Sequence, residues 1–208
     1  GYSSAASDVY KRQYAKTSKF YHFEKDDIQL LKDVSEQYDS SKKQIFFIHL
    51  KGSHIDYNDK YDRTDQDDFK EVPGREITLD YDRSIHHTDR VLSQLDHLVK
   101  GSAKDSISSV IVYYSDHGEV INKGHGIMKK ESDQFKIPFL IIPYSQKRYI
   151  SQKMEHFLDN GIFNSNSISY FMSFLLGYDI DEQLLRRSQN EALYYYHVDG
   201  RSYKIADL

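Results

Sequence analysis

Ser109-Val110-Ile111-Val112-Tyr113-Tyr114-Ser115-Asp116-His117-Gly118-Glu119 is the stretch whose reading decides the fold. Its β-branched run, 110–112, has the composition of a buried strand. Directly behind it stand a carboxylate and an imidazole, side by side. Successive side chains of a straight strand point to opposite faces. Asp116 and His117 can therefore share an ion only where the strand ends and the backbone bends, and Gly118 supplies freedom to bend. Asp with His suits zinc or manganese better than magnesium or calcium, which prefer oxygen alone. The competing reading is a capping Asp and a surface His in a turn. A further histidine follows in Gly124-His125-Gly126.

Upstream, Ile45-Phe46-Phe47-Ile48-His49-Leu50 is a near-continuous apolar run. Such runs fit parallel strands covered on both faces. The run ends at Lys51-Gly52-Ser53-His54, which puts His54 just past a strand's carboxyl end, the edge where open α/β sheets bind ligands. Between the two strands, residues 78–100 read as a long helix with Val91, Leu92, Leu95, Leu98 and Val99 on one stripe, stopped by Gly101. Strand, helix, strand predicts a right-handed unit with parallel pairing. An earlier helix, capped by Asp26 or Asp27, carries Ile28, Leu31, Val34 and Tyr38 and should lie against the sheet. Residues 55–76 are polar, and Asp65-Gln66-Asp67-Asp68 reads as a solvated loop whose spacing is not that of an EF-hand.

Downstream, Lys136-Ile137-Pro138-Phe139-Leu140-Ile141-Ile142-Pro143 reads as another strand, with Pro138 marking an edge or entry. A helix over 146–158 places Ile150, Met154 and Phe157 on one face. Ser167 caps a further helix, 168–176, apolar nearly all round and closed by Gly177. Segments 192–198 and 201–205 flank Asp199-Gly200, a two-residue hairpin signal. The expected fold is therefore α/β: a mostly parallel sheet sandwiched by helices, truncated at the N-terminus, with a C-terminal β-hairpin.

Composition narrows the function classes. The 208 residues suffice for one domain with a core. A net charge of -4 without a basic block gives no electrostatic footprint for nucleic acid. The absence of Cys excludes disulfides and thiolate metal sites, and no apolar run approaches the ~18 residues of a membrane span. The opening residues 3–13 resemble the in-frame translation of a transposon-end sequencing adapter, with Asp8-Val9-Tyr10-Lys11-Arg12-Gln13 the recognisable part. Residues 1–13 are accordingly read as non-native, and 14–208 as the C-terminal portion of a larger catalytic domain.

Three segments then line up: Gly52-Ser53-His54, Ser115-Asp116-His117-Gly118-Glu119 and Gly124-His125-Gly126. On these the chain resembles the sulfatase and alkaline-phosphatase-like superfamily, and within it the phosphoethanolamine transferases of Gram-negative envelopes. His49 to His54 followed by Tyr57 and Tyr61 is similar to that family's histidine motif. Tyr81-Asp82-Arg83-Ser84-Ile85, then Thr88-Asp89 and Val91-Leu92, is similar to its helix before the metal strand. Phe135-Lys136-Ile137-Pro138-Phe139 is similar to the strand that follows. The likeness is close over 44–142 and looser to about 178.

The resemblance implies zinc, with manganese as the alternative, held by Asp116 and His117. It implies that His54 and His125 contact the transferred phosphoryl group, bind a second metal or act as acid. Glu119 would hold the turn or a metal-bound histidine rather than the ion itself. The threonine nucleophile of the family has no counterpart in the chain, so these residues alone should be inactive. The implied reaction moves phosphoethanolamine from a phospholipid to an envelope glycan or lipid acceptor. The implied setting is the inner membrane, reached through a missing N-terminal region, with the catalytic domain in the periplasm. Rivals are a sulfatase or a phosphoglycerol transferase on the same fold, and a non-catalytic metal-binding envelope module. The chain departs from the family in the short gap before His125, in lacking Cys, and in Ile55-Asp56 after the histidine motif. His86 and His87 read as surface or packing residues of the helix, His49 as a strand residue, and His22, His97, His156 and His197 as structural or exposed.

Overall fold

Among the described residues helices dominate, and the strands come in antiparallel pairs. The computed structural model describes residues 27–71, 73–102, 109–126, 131–159, 161–191, 194–196 and 199–204. The readings of residues 1–13, His22, Asp26 and His197 lie outside these.

The long helix is the organiser. Helix α1 (Asp27–Gln37) buries Leu31 and Val34, α2 (Arg63–Asp68) is a short helix with a capping box, and α3 (Leu79–Ser102) packs against both. The apolar stripe expected on α3 is what faces inward: Val91 and Val99 are buried, with Leu95 and Leu98 partly so. Helix α1 lies on this helix. Asp65-Gln66-Asp67-Asp68, expected as a solvated loop, lies within α2, and Asp65 is fully buried.

Strand β1 (Val110–Tyr114) pairs with β2 (Phe139–Pro143), from Val110 opposite Pro143 to Tyr114 opposite Phe139. The pairing is antiparallel, which overturns the expected parallel sheet. Parallel neighbours need a crossover, commonly a helix. The connection from β1 to β2 instead turns back through the site loop and a 3-10 turn at Ser132–Phe135. The other half of the expected parallel unit also fails, because residues 45–50 join no sheet. Exposure alternates along that run, with Ile45 52% and Phe47 77% exposed. The apolar composition suggested cover on both faces, but one face meets solvent. The mostly parallel α/β class is therefore incorrect for this structure.

The second core lies downstream. Helix α4 (Lys147–Met154), the hairpin β3 (Leu158–Asp159) with β4 (Ile162–Phe163), α5 (Ile168–Leu175) and α6 (Glu182–Glu191) surround it. Phe157, Phe171 and Leu185 are its buried centre, and Phe139 of β2 stacks on Phe163 at 4.0 Å. Ser167 precedes α5 as expected, but its hydroxyl makes no capping bond. The hairpin signal at Asp199-Gly200 corresponds to β5 (Tyr194–Tyr196) and β6 (Ser202–Lys204). Its last pair is Tyr196 with Ser202, so the turn is longer than two residues.

Candidate functional site

The loop after β1 bends where the sequence said it must. The Ser115 hydroxyl donates to the His117 carbonyl at 2.7 Å, curling the chain just past the strand. Gly118 matters there for closeness rather than for an unusual backbone angle. Its N–H donates to the Gln134 carbonyl at 2.9 Å, and a Cβ there would overlap the Asp133 carbonyl oxygen and sit 2.5 Å from that of Lys136. Buried Gln134 also accepts the Gly126 N–H through its side-chain oxygen at 2.8 Å. One residue thus holds both ends of the segment that carries His117, Glu119 and His125.

His54 arrives from a separate loop. The Asp27 carboxylate, buried at the start of α1, accepts the Lys51 N–H at 2.9 Å and that of Gly52 at 3.3 Å. Gly52 turns there with φ +60, a conformation glycine adopts without strain. The result brings His54, His117 and His125 together. Ring centroids are 5.4 Å apart for His54 and His125, 6.4 Å for His54 and His117, and 3.6 Å for His117 and His125, which stack.

The imidazoles share one hydrogen-bond logic. His54 Nδ1 donates to the Ile55 carbonyl at 2.5 Å, and His117 Nδ1 to the Gly118 carbonyl at 2.9 Å. His125 Nδ1 lies 3.0 Å from Glu119 Oε2. Carbonyl and carboxylate oxygens only accept, so Nδ1 carries a proton in each ring and any lone pair the ring offers is on Nε2. The neutral ring in that tautomer binds a metal or takes a proton through Nε2.

Asp116 is 77% exposed, with Oδ1 3.7 Å from His117 Nε2. Glu119 is only 8% exposed and is already engaged. Its Oε1 accepts from the Tyr57 hydroxyl at 2.9 Å and its Oε2 faces His125. Burial, with the Glu119 carboxylate alongside, pushes the Tyr57 phenol up to about 12 despite the Asn122 N–H beside it. Ligand atoms of His117, Glu119 and His125 lie within 4.8 Å of one another, and two imidazole nitrogens with a carboxylate oxygen are a donor set zinc accepts.

Asp62, Asp65 and His87 meet the same distance test. There the Arg90 guanidinium already sits 2.8 Å from Asp62 and 2.9 Å from Asp65, and His86 and His87 point Nδ1 at Asp65 from 2.8 and 2.7 Å. That carboxylate is an anchor for α3. The sequence offered Asp27 only as a helix cap and Asp65 only as part of a solvated loop, and no local signal marks Gln134. Tyr57 stood in the quoted histidine motif without a role.

The sulfatase family model matches residues 1–172. The chain belongs to the sulfatase family. Among curated relatives of this sulfatase-family chain, the Kdo(2)-lipid A phosphoethanolamine 7''-transferase of Escherichia coli is 27% identical over 107 residues, 48% of the chain and 19% of the relative. Its Salmonella typhimurium counterpart is 28% identical over the same shares. A putative transferase of Escherichia coli, YhbX, is 27% identical over 171 residues, 79% of the chain and 29% of the relative. The chain thus spans less than a third of the length of these relatives. No solved structure matches it.

Proposed function

We propose that the chain carries the metal- and phosphoryl-facing wall of a phosphoethanolamine transferase. One observation carries the reading: His54, His117 and His125 converge beside Asp116, each with Nδ1 spent on the protein and Nε2 left over. The donor to the transfer is a phospholipid, and the acceptor a hydroxyl of an envelope glycan or lipid. The protein works at the inner membrane with this part in the periplasm. No residue of the chain is proposed as the nucleophile.

Asp116 and His117 hold zinc, and Glu119 orients His125 instead of binding the ion. When bound, the metal lowers the pKa of a hydroxyl and offsets charge on phosphoryl oxygens. His54 and His125 present Nε2 to the phosphoryl group, where a protonated ring donates to its oxygens or to the leaving alkoxide.

The test is zinc content and transfer from a labelled phosphatidylethanolamine, measured on the full-length protein. Asp116→Asn, which keeps shape and removes charge, is expected to weaken zinc binding at least ~10-fold and transfer by ~100-fold or more. Unchanged zinc content would remove Asp116 from the metal site. The family match keeps sulfate-ester hydrolysis as a rival; release of sulfate from an aryl sulfate, without phosphoethanolamine transfer, would favour it.

A further inference from the structure

Tyr57 is 5% exposed and follows His54 by one short turn. Its ring stacks edge-on against Tyr81 of α3 at 5.3 Å. Its hydroxyl reaches across to the other loop, where it meets Glu119 Oε1 at 2.9 Å and the Asn122 N–H at 3.3 Å. The amide of Asn122 can only donate, so it occupies a lone pair of the phenol oxygen. The phenol proton then points at Glu119. Glu119, in turn, lies against His125 Nδ1. Asn122 N–H thus donates to Tyr57, and the Tyr57 O–H and the His125 Nδ1–H converge on Glu119, one on each carboxylate oxygen.

We propose that Tyr57 is a positioning residue that acts through Glu119 to hold His125 as the Nδ1–H tautomer, keeping Nε2 for the site. With Glu119 Oε1 held by buried Tyr57, Oε2 is left to accept from His125 Nδ1. A reversed Tyr57 would leave its O–H unpaired, and a buried donor without a partner costs ~1–3 kcal/mol. The same residue ties the His54 loop to the loop carrying His117 and His125. The inference rests on the functional reading above only for its consequence in phosphoryl contact, since the tautomer exists without substrate or metal.

The experiment reads the ring nitrogens of His125 by two-bond proton–nitrogen correlation in the full chain freed of metal by chelation, with His125→Gln assigning the signals. Wild type is expected to show protonated Nδ1 and unprotonated Nε2. In Glu119→Gln, Tyr57 still demands an acceptor, so the amide oxygen faces Tyr57 and the amide NH2 faces His125. The imidazole must then switch to Nε2–H. Adding Tyr57→Phe frees the amide to turn its oxygen toward His125, and Nδ1–H should return in whole or in part. Tyr81→Phe removes a hydroxyl from the same packing and should leave wild-type signals. Retention of Nδ1–H in Glu119→Gln, or an unaltered Nε2–H tautomer in the double variant, would overturn the proposal. Should the double variant not fold, the single Glu119→Gln variant still decides. Transfer from labelled phosphatidylethanolamine by full-length Tyr57→Phe, with an expected ~10-fold loss, is scored separately. A switched tautomer with no transfer by the wild-type protein would count against the transferase reading and leave this inference standing.

Discussion

Gly118→Ala is expected to cost more than its single methyl suggests: loss of zinc from the full-length protein, transfer reduced ~100-fold or more, and a clear fall in thermal stability. The added Cβ would overlap the Asp133 carbonyl oxygen and press on that of Lys136. Both obstacles are backbone, so no side-chain rotation relieves them. Overpacking by a methylene ordinarily costs ~1–3 kcal/mol, and an obstacle that cannot rotate puts this variant at the upper end or beyond. The loop must move away from the 132–135 turn, stretching the Gly118 N–H bond to Gln134. His117, Glu119 and His125 move with it, and a displacement of ~1 Å is enough to lose ~100-fold in rate. Gly124→Ala is the useful control. A Cβ there meets nothing, although φ is +89, so its penalty is local strain alone. Calorimetry with zinc analysis separates the two. Equal behaviour of both variants would mean that close approach at Gly118 is not the constraint.

That distinction shows what the sequence could carry. Gly118 was legible as special, and for the wrong reason: its packing partner lies beyond a loop, where no local pattern reports it. The α3 stripe, the two strands and the hairpin were legible because each is fixed by its own periodicity or turn residues. The direction of β1–β2 pairing was not, because it depends on the path of the intervening loop. The run 45–50 has strand composition, but a strand also requires a neighbour, and among the described residues none pairs with it. Helix α6 was missed although Asp181 accepts the Gln183 and Leu184 N–H groups as a cap; its single buried anchor, Leu185, gave too little stripe to count. The histidines of the site were found by motif. What orients them, Asp27, Gln134 and Tyr57, was hidden in long-range contacts.

Asp65→Ala is expected to lower stability by ~3–5 kcal/mol, the usual consequence of breaking a buried charge pair. Read as part of a solvated acidic loop, the same change would cost less than ~1 kcal/mol, so urea denaturation decides plainly. Asp65 is fully buried and receives Arg90, His86, His87 and the Asp62 N–H. Burial opposes its charge, but the Asp62 N–H, His87, Arg90 and His86 together outweigh it and hold the carboxyl well below the usual range. The sign of the pH dependence follows. A depressed folded pKa adds stability that is complete above the unfolded value, near pH ~4, and fades as pH falls toward the folded one. The stability gap between wild type and Asp65→Ala should therefore stay flat from about pH 7 to 5 and close only below about pH 4. A gap that already changes between pH 7 and 5 would show that the Asp65 carboxylate does not govern the pH dependence of the network. The effect should also reach the site. Asp65 fastens α2 to the part of α3 that carries Tyr81, and Tyr81 packs on Tyr57. Loosening that helix removes the wall against which Tyr57 is held, so Asp65→Ala should weaken zinc binding even in the fraction that remains folded.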